Sequence, residues 1–129
     1  MNVEIDTQIY ECQMATLWLS DDGILNFVSK PEERSYENAV ELISVLRMMS
    51  KGNKMCVLVD TTHSKPMNRE VRDYLVKHTS LYYKAVAVTS KSSLGAFVAN
   101  IFLRLNPPAY PIRIFSDESS AKSWLATQL

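Results

Sequence analysis

Five apolar residues in succession, Met55, Cys56, Val57, Leu58 and Val59, stand between a segment of helical period and a polar loop. A run this short and uninterrupted suits a strand covered on both faces, which is the environment of a parallel sheet with helices above and below. One pentapeptide therefore already argues for an α/β chain. Residues 85–88 repeat the pattern, and residues 112–115 form a further strand.

The segments between these runs carry helix signals. Ser35 stands where a helix cap is needed, with Glu37 in the first turn, and Tyr36, Ala39, Val40, Ile43, Leu46 and Met49 fall on one helical face that ends near Gly52. Asn68 caps a second helix whose inward face carries Val71, Tyr74, Leu75, His78 and Tyr82, and whose outer face spaces Asp73 and Lys77 for an ion pair. Ser92 or Ser93 opens a third, over residues 94–105, which stops before Asn106, Pro107 and Pro108. Asp117 caps a last one with Ala121, Trp124 and Leu125 inward. Ahead of all these, residues 8–19 alternate as a long strand, with Tyr10, Cys12, Met14 and Trp18 on one side. The turn at Asp21, Asp22 and Gly23 returns the chain into residues 24–28 as an antiparallel hairpin. The expected architecture is a mixed, mostly parallel five-stranded sheet with an N-terminal hairpin and about four helices, in a single domain over residues 1–129.

Composition narrows the function classes. The 129 residues contain 14 Lys plus Arg and 14 Asp plus Glu, so the formal net charge is zero, and 47% are apolar. That is enough for one core and excludes disorder as the main state. Neutrality argues against nucleic acid, whose nonspecific affinity needs a basic surface. The longest stretch without a formal charge, residues 92–103, is short for a membrane span, and the acidic N-terminus does not resemble a signal peptide, so a cytoplasmic location is expected. Cys12 and Cys56, far apart and each within an apolar run, read as buried free thiols. Three glycines leave no room for a Walker loop or a GxGxxG turn.

The chemistry-bearing residues form no complete catalytic set. His63, Asp60 and Ser64 have the letters of a triad, but three neighbours in one loop do not line up as nucleophile, base and orienter. His78 sits on an apolar helical face and reads as a packing residue, and neither histidine forms a metal motif with a cysteine. Asp60 at a strand end suggests a phospho-accepting receiver, yet Asp21 and Asp22 in a hairpin turn cannot share a metal with it. The loop of Asp60, Thr61, Thr62, His63 and Ser64 presents hydroxyls before a helix, where a phosphate would meet the positive helix end. The aromatic patch at Tyr82 and Tyr83 reads as packing. In the third helix only Asn100 and Arg104 are strongly polar. Leu94, Phe97, Val98, Ile101, Phe102 and Leu105 then either pack under neighbouring loops or form an interface, for example that of a homodimer.

The order of elements, with MCVLVD leading into a hydroxyl-rich loop and VAVTS ending a later strand, resembles the STAS fold of SpoIIAA-like anti-sigma factor antagonists. The C-terminal half, with Asn106, Pro107 and Pro108, then YPIRIF and Trp124, is similar to a group of bacterial SpoIIAA-like proteins. The resemblance implies a regulatory module, with Thr61 or Thr62 at the position of the phosphorylated serine, although His63 stands in place of the family's glycine. It also implies a second reading, because related CRAL-TRIO-like folds cover a lipid pocket with a movable apolar helix, here residues 94–105. The leading expectation is a non-enzymatic bacterial module acting through protein contacts, with no cofactor or metal. The alternative is a carrier or sensor of a small apolar ligand.

Overall fold

A computed structural model describes residues 8–92, 100–101, 104–105 and 108–129. The sheet has six strands, β1 (Tyr10–Glu11), β2 (Ala15–Leu19), β3 (Ile24–Ser29), β4 (Met55–Asp60), β5 (Tyr83–Thr89) and β6 (Ile112–Phe115), adjacent in space in the order of the sequence. The pairs β1/β2 and β2/β3 are antiparallel, and the remaining three are parallel. Helices α1 (Tyr36–Ser50) and α2 (Arg69–Thr79) follow β3 and β4, and α3 (Glu118–Ala126) follows β6. Residues 100–101 and 104–105 are also helical.

Alternation along the central strands divides the core in two. Leu25, Phe27, Val57 and Val86 join Leu42, Ile43 and Leu46 of α1 and Val71 of α2 on one face. Ile24, Cys56, Leu58, Ala85 and Ala87 meet Ala121 and Leu125 of α3 on the other. The small alanines of β5 let α3 approach closely, which is the two-sided burial expected of this strand. Cys12 belongs to the first cluster and Cys56 to the second, and both are free thiols whose pKa burial pushes up.

Three of the four expected caps are in place, and the start of the third expected helix, residues 93–99, lies outside the described residues. Ser35 accepts from the Asn38 N–H, Asn68 from Val71 and Asp117 from Ser120, each satisfying a donor that the first helical turn leaves unpaired. Helix α1 ends in two left-handed residues, Lys51 at φ 50° and Gly52 at φ 85°, so the stop begins one residue before the glycine.

Several details depart from the sequence reading. The long N-terminal strand is two strands: the Cys12 N–H donates to the Ala15 carbonyl at 3.0 Å, closing a tight turn that folds β1 back onto β2. This turn breaks the alternation, so Cys12 and Met14 are buried while Trp18 is half-buried, on the opposite side of β2 from Leu17. The sheet thus has six strands rather than five, with three full helices among the described residues. The buried face of α1 is rotated: Leu42 is buried, while Tyr36 and Val40 are exposed. On α2, Asp73 pairs with Arg69 rather than with Lys77. His78 packs its ring 4.2 Å from that of Tyr74, and Tyr74 meets Tyr36 of α1 edge-on at 5.0 Å.

Strand β6 lies at an edge of the sheet, where unpaired backbone groups invite association. The side-chain amide of Asn100 covers it, donating to the Ile114 carbonyl at 2.8 Å and accepting from the Ile114 N–H at 2.9 Å. One of the two polar residues of the apolar third segment thus acts as a strand mimic. Asn100→Ala is expected to cost about 1–3 kcal/mol in urea unfolding, because it strips both partners from Ile114. A change below ~0.3 kcal/mol would show that the bridge contributes nothing.

Candidate functional site

A cleft of about 230 Å³ lies between the first face of the sheet and helices α1 and α2. Its wall is mostly apolar: Phe27 of β3, Val59 of β4, Leu42 of α1, and Met67, Leu75 and Val76 along α2 and its approach. The alternation that sends Phe27 and Val59 to this face is the same one that builds the core, so the cleft continues the apolar layer where α2 covers it incompletely.

Polar groups enter the cleft as two sets. One comes from loops at the carboxyl ends of β3 and β4 and comprises Arg34, Thr61 and Ser64. Arg34 immediately precedes the cap of α1 and is only 5% exposed. Its Nη1 donates to the Met14 carbonyl at 3.2 Å, and its Nη2 to the Ser64 hydroxyl at 2.9 Å and the Lys30 carbonyl at 3.5 Å. Its Nε is buried without a hydrogen-bond partner among the described residues. Desolvation pulls the guanidinium pKa down, yet a guanidinium keeps its proton at any physiological pH.

The other set is Thr79 at the end of α2, Tyr83 at the start of β5, and Tyr110. The Thr79 and Tyr110 hydroxyls lie 2.8 Å apart, and the rings of Tyr83 and Tyr110 meet edge-on at 5.5 Å. Burial raises the pKa of both tyrosines, so they stay neutral hydroxyls. Arg72, exposed on α2, adds a second positive charge to the lining. Among the described residues the lining contains no carboxylate, imidazole or thiol.

The loop singled out in the sequence, Asp60, Thr61, Thr62 and Ser64, is divided by the fold. Asp60 accepts from the Thr62 N–H at 2.9 Å, and hydrogen bonding from Thr62 holds its carboxyl below the ordinary value. Thr61 is half-buried and donates its hydroxyl to the Thr89 carbonyl at 3.2 Å. Ser64, exposed like Thr62 and His63, accepts from Arg34. The turn holding Asp21 and Asp22 precedes β3, at the amino ends of the parallel strands, whereas Asp60 ends β4. The acids therefore sit at opposite edges of the sheet, away from any receiver-like arrangement. No group of three His, Cys, Asp or Glu able to hold a metal occurs among the described residues.

Of the apolar set proposed for a lid or interface, Leu94, Phe97, Val98 and Phe102 lie outside the described residues. Ile101 is half-buried and Leu105 is 76% exposed. Among the described residues no helix is long and apolar enough to cross a membrane. The sequence reading passed over Arg34, which sits in a charged, proline-containing linker, and Arg72, which sits on a solvated helix. Arg34 acts through partners 20 and 30 residues away, and Arg72 through its place in the cleft wall, neither of which local pattern encodes.

A crystal structure of an uncharacterised DUF3478-family protein from Shewanella loihica PV-4, described as having a SpoIIAA-like fold, superposes with a TM-score of 0.56. The two are 18% identical, over 97% of this chain and 98% of that one, so the likeness establishes the SpoIIAA-like fold. A protein of unknown function from Arthrobacter sp. FB24 is 23% identical over 85% of this chain and 97% of that one, with a TM-score of 0.32. No curated protein matches the sequence. Residues 17–129 match the family described as Domain of unknown function (DUF7793), a span that starts within β2 and takes in every element from β3 to α3, and the chain belongs to that family.

Proposed function

We propose that this chain is a non-enzymatic module that takes a small, largely apolar molecule into the cleft between the sheet and helices α1 and α2. The observation that carries this reading is the cleft itself. Protein interiors are packed nearly as tightly as organic crystals, so about 230 Å³ of apolar-walled space beside an otherwise filled core is a binding feature. The lining supports binding over turnover: among the described residues it offers neutral hydroxyls and guanidinium groups but no carboxylate, imidazole or thiol to exchange a proton or attack a substrate. Native mass spectrometry of the full chain, purified without detergent, is expected to show a bound small molecule that leaves on activation. A bare mass, together with an unchanged melting temperature across a panel of medium-chain acids, alcohols and amines, would overturn the reading.

A regulatory module acting through protein contacts, as in anti-sigma factor antagonists, is favoured by one specific observation. Thr62 is exposed on the loop after β4, while its neighbours Thr61 and Ser64 reach the cleft. The loop thus joins ligand site and surface. Under this reading phosphopeptide mapping of the protein from its host finds phosphate on Thr62 and not on Thr61, whose hydroxyl is held by Thr89. Modification confined to other segments counts against it.

A further inference from the structure

We infer that the molecule bound in the cleft is an anionic amphiphile, a hydrocarbon carboxylate of roughly eight carbons in all, whose head group meets Arg34. The inference rests on the binding reading above and adds the chemistry of the ligand to it.

Charge is the first argument. The chain as a whole balances 14 basic against 14 acidic side chains, yet among the described residues the cleft is lined by two arginines and no acid. Arg34 is the buried one. The described ion pairs, Lys30–Glu11, Arg69–Asp73 and Lys122–Glu118, are all formed by solvated side chains, and none involves Arg34. A guanidinium taken out of water without a counter-charge is costly, and an anion from outside the chain would offset that cost.

Hydrogen-bond accounting gives the second argument, independent of the charge count. The three hydrogen bonds that the Arg34 guanidinium makes among the described residues all go to neutral acceptors: two backbone carbonyls and the Ser64 hydroxyl. The Nε–H has no partner among the described residues although it is buried. Nε and Nη2 form one edge of the guanidinium, the edge that forks onto the two oxygens of a carboxylate. Nη2 is already turned to a side chain, the Ser64 hydroxyl, that an entering oxygen can displace or join.

Size and wall chemistry set the tail. At about 30 Å³ for each water-sized group, the cleft holds on the order of eight heavy atoms. Phe27, Leu42, Val59, Leu75 and Val76 give that length an apolar wall.

The test is isothermal titration of the full chain near neutral pH with octanoate and with octan-1-ol, which share a tail and differ in the charge of the head. Octanoate is expected to bind tighter by roughly tenfold to a hundredfold, the range of a charged hydrogen bond in a buried site. Arg34→Met, checked for a cooperative melt within about 5 °C of the parent, should remove that advantage and leave octan-1-ol unchanged. Equal binding of acid and alcohol overturns the head-group assignment while the cleft reading stands. Octanoate affinity that persists in folded Arg34→Met also overturns it, and no binding of either probe overturns both. If Arg34→Met does not fold, the comparison of acid and alcohol on the unaltered chain decides alone.

Discussion

The buried guanidinium of Arg34 joins parts of the fold that share no strand pairing with its own segment. It reaches the turn between β1 and β2 through the Met14 carbonyl, and the loop after β4 through Ser64, while standing one residue before the cap of α1. The hairpin, the entry to the first helix and the approach to the second are therefore fixed relative to one another by one cation. The Met14 carbonyl also accepts the Lys30 N–H at 2.9 Å, so the backbone is tied at that point with or without the arginine. What Arg34 adds is a positive charge at the inner wall of an apolar cleft, a feature that burial opposes and that stability alone does not call for.

The fold supports this arrangement from below. Parallel pairing from β3 to β6 places the loops after β3 and β4 at the same edge of the sheet, which brings Arg34 and Ser64 together across 30 residues of sequence. Two helices cover the cleft face, whereas α3 seals the other against the alanines of β5. The cleft follows from an imbalance on the first face: only Val71 and Thr79 of α2 are buried, so this helix leaves part of the sheet surface to other material. The SpoIIAA-like fold is shared with a protein that is 18% identical, so the frame itself is compatible with very different sequences.

How much of this was legible in the sequence follows from the range of the interactions involved. The caps Ser35, Asn68 and Asp117 were readable because a cap is completed within three residues. The buried strands were readable because covering both faces leaves an uninterrupted apolar run. The break after Glu11 was not, since the turn at residues 12–15 contains neither glycine nor proline. In α1 the difference was rotational: Tyr36 and Val40 fit the apolar stripe by spacing, but Leu42 lies nearer the centre of the face that packs. At the site, the loop from Asp60 to Ser64 stood out by composition, while the division of its hydroxyls between Thr89, Arg34 and solvent depends on neighbours from other elements. Asn100 was visible as a polar exception in an apolar segment, though its partner, the edge of β6, was not. Arg34 carried no local signal at all.

The central claim is that the unpartnered Nε–H of Arg34 is the donor for an external anion. Arginine side-chain Nε–H resonances can be followed directly in ¹⁵N-edited NMR spectra while octanoate is added to the full chain. The account predicts that the Arg34 Nε–H signal, assigned by its loss in Arg34→Lys, moves saturably with octanoate and stays in place with octan-1-ol. An Arg34 signal that does not move while methyl signals of Val59 or Leu75 do would contradict it, placing the ligand in the cleft but away from the guanidinium.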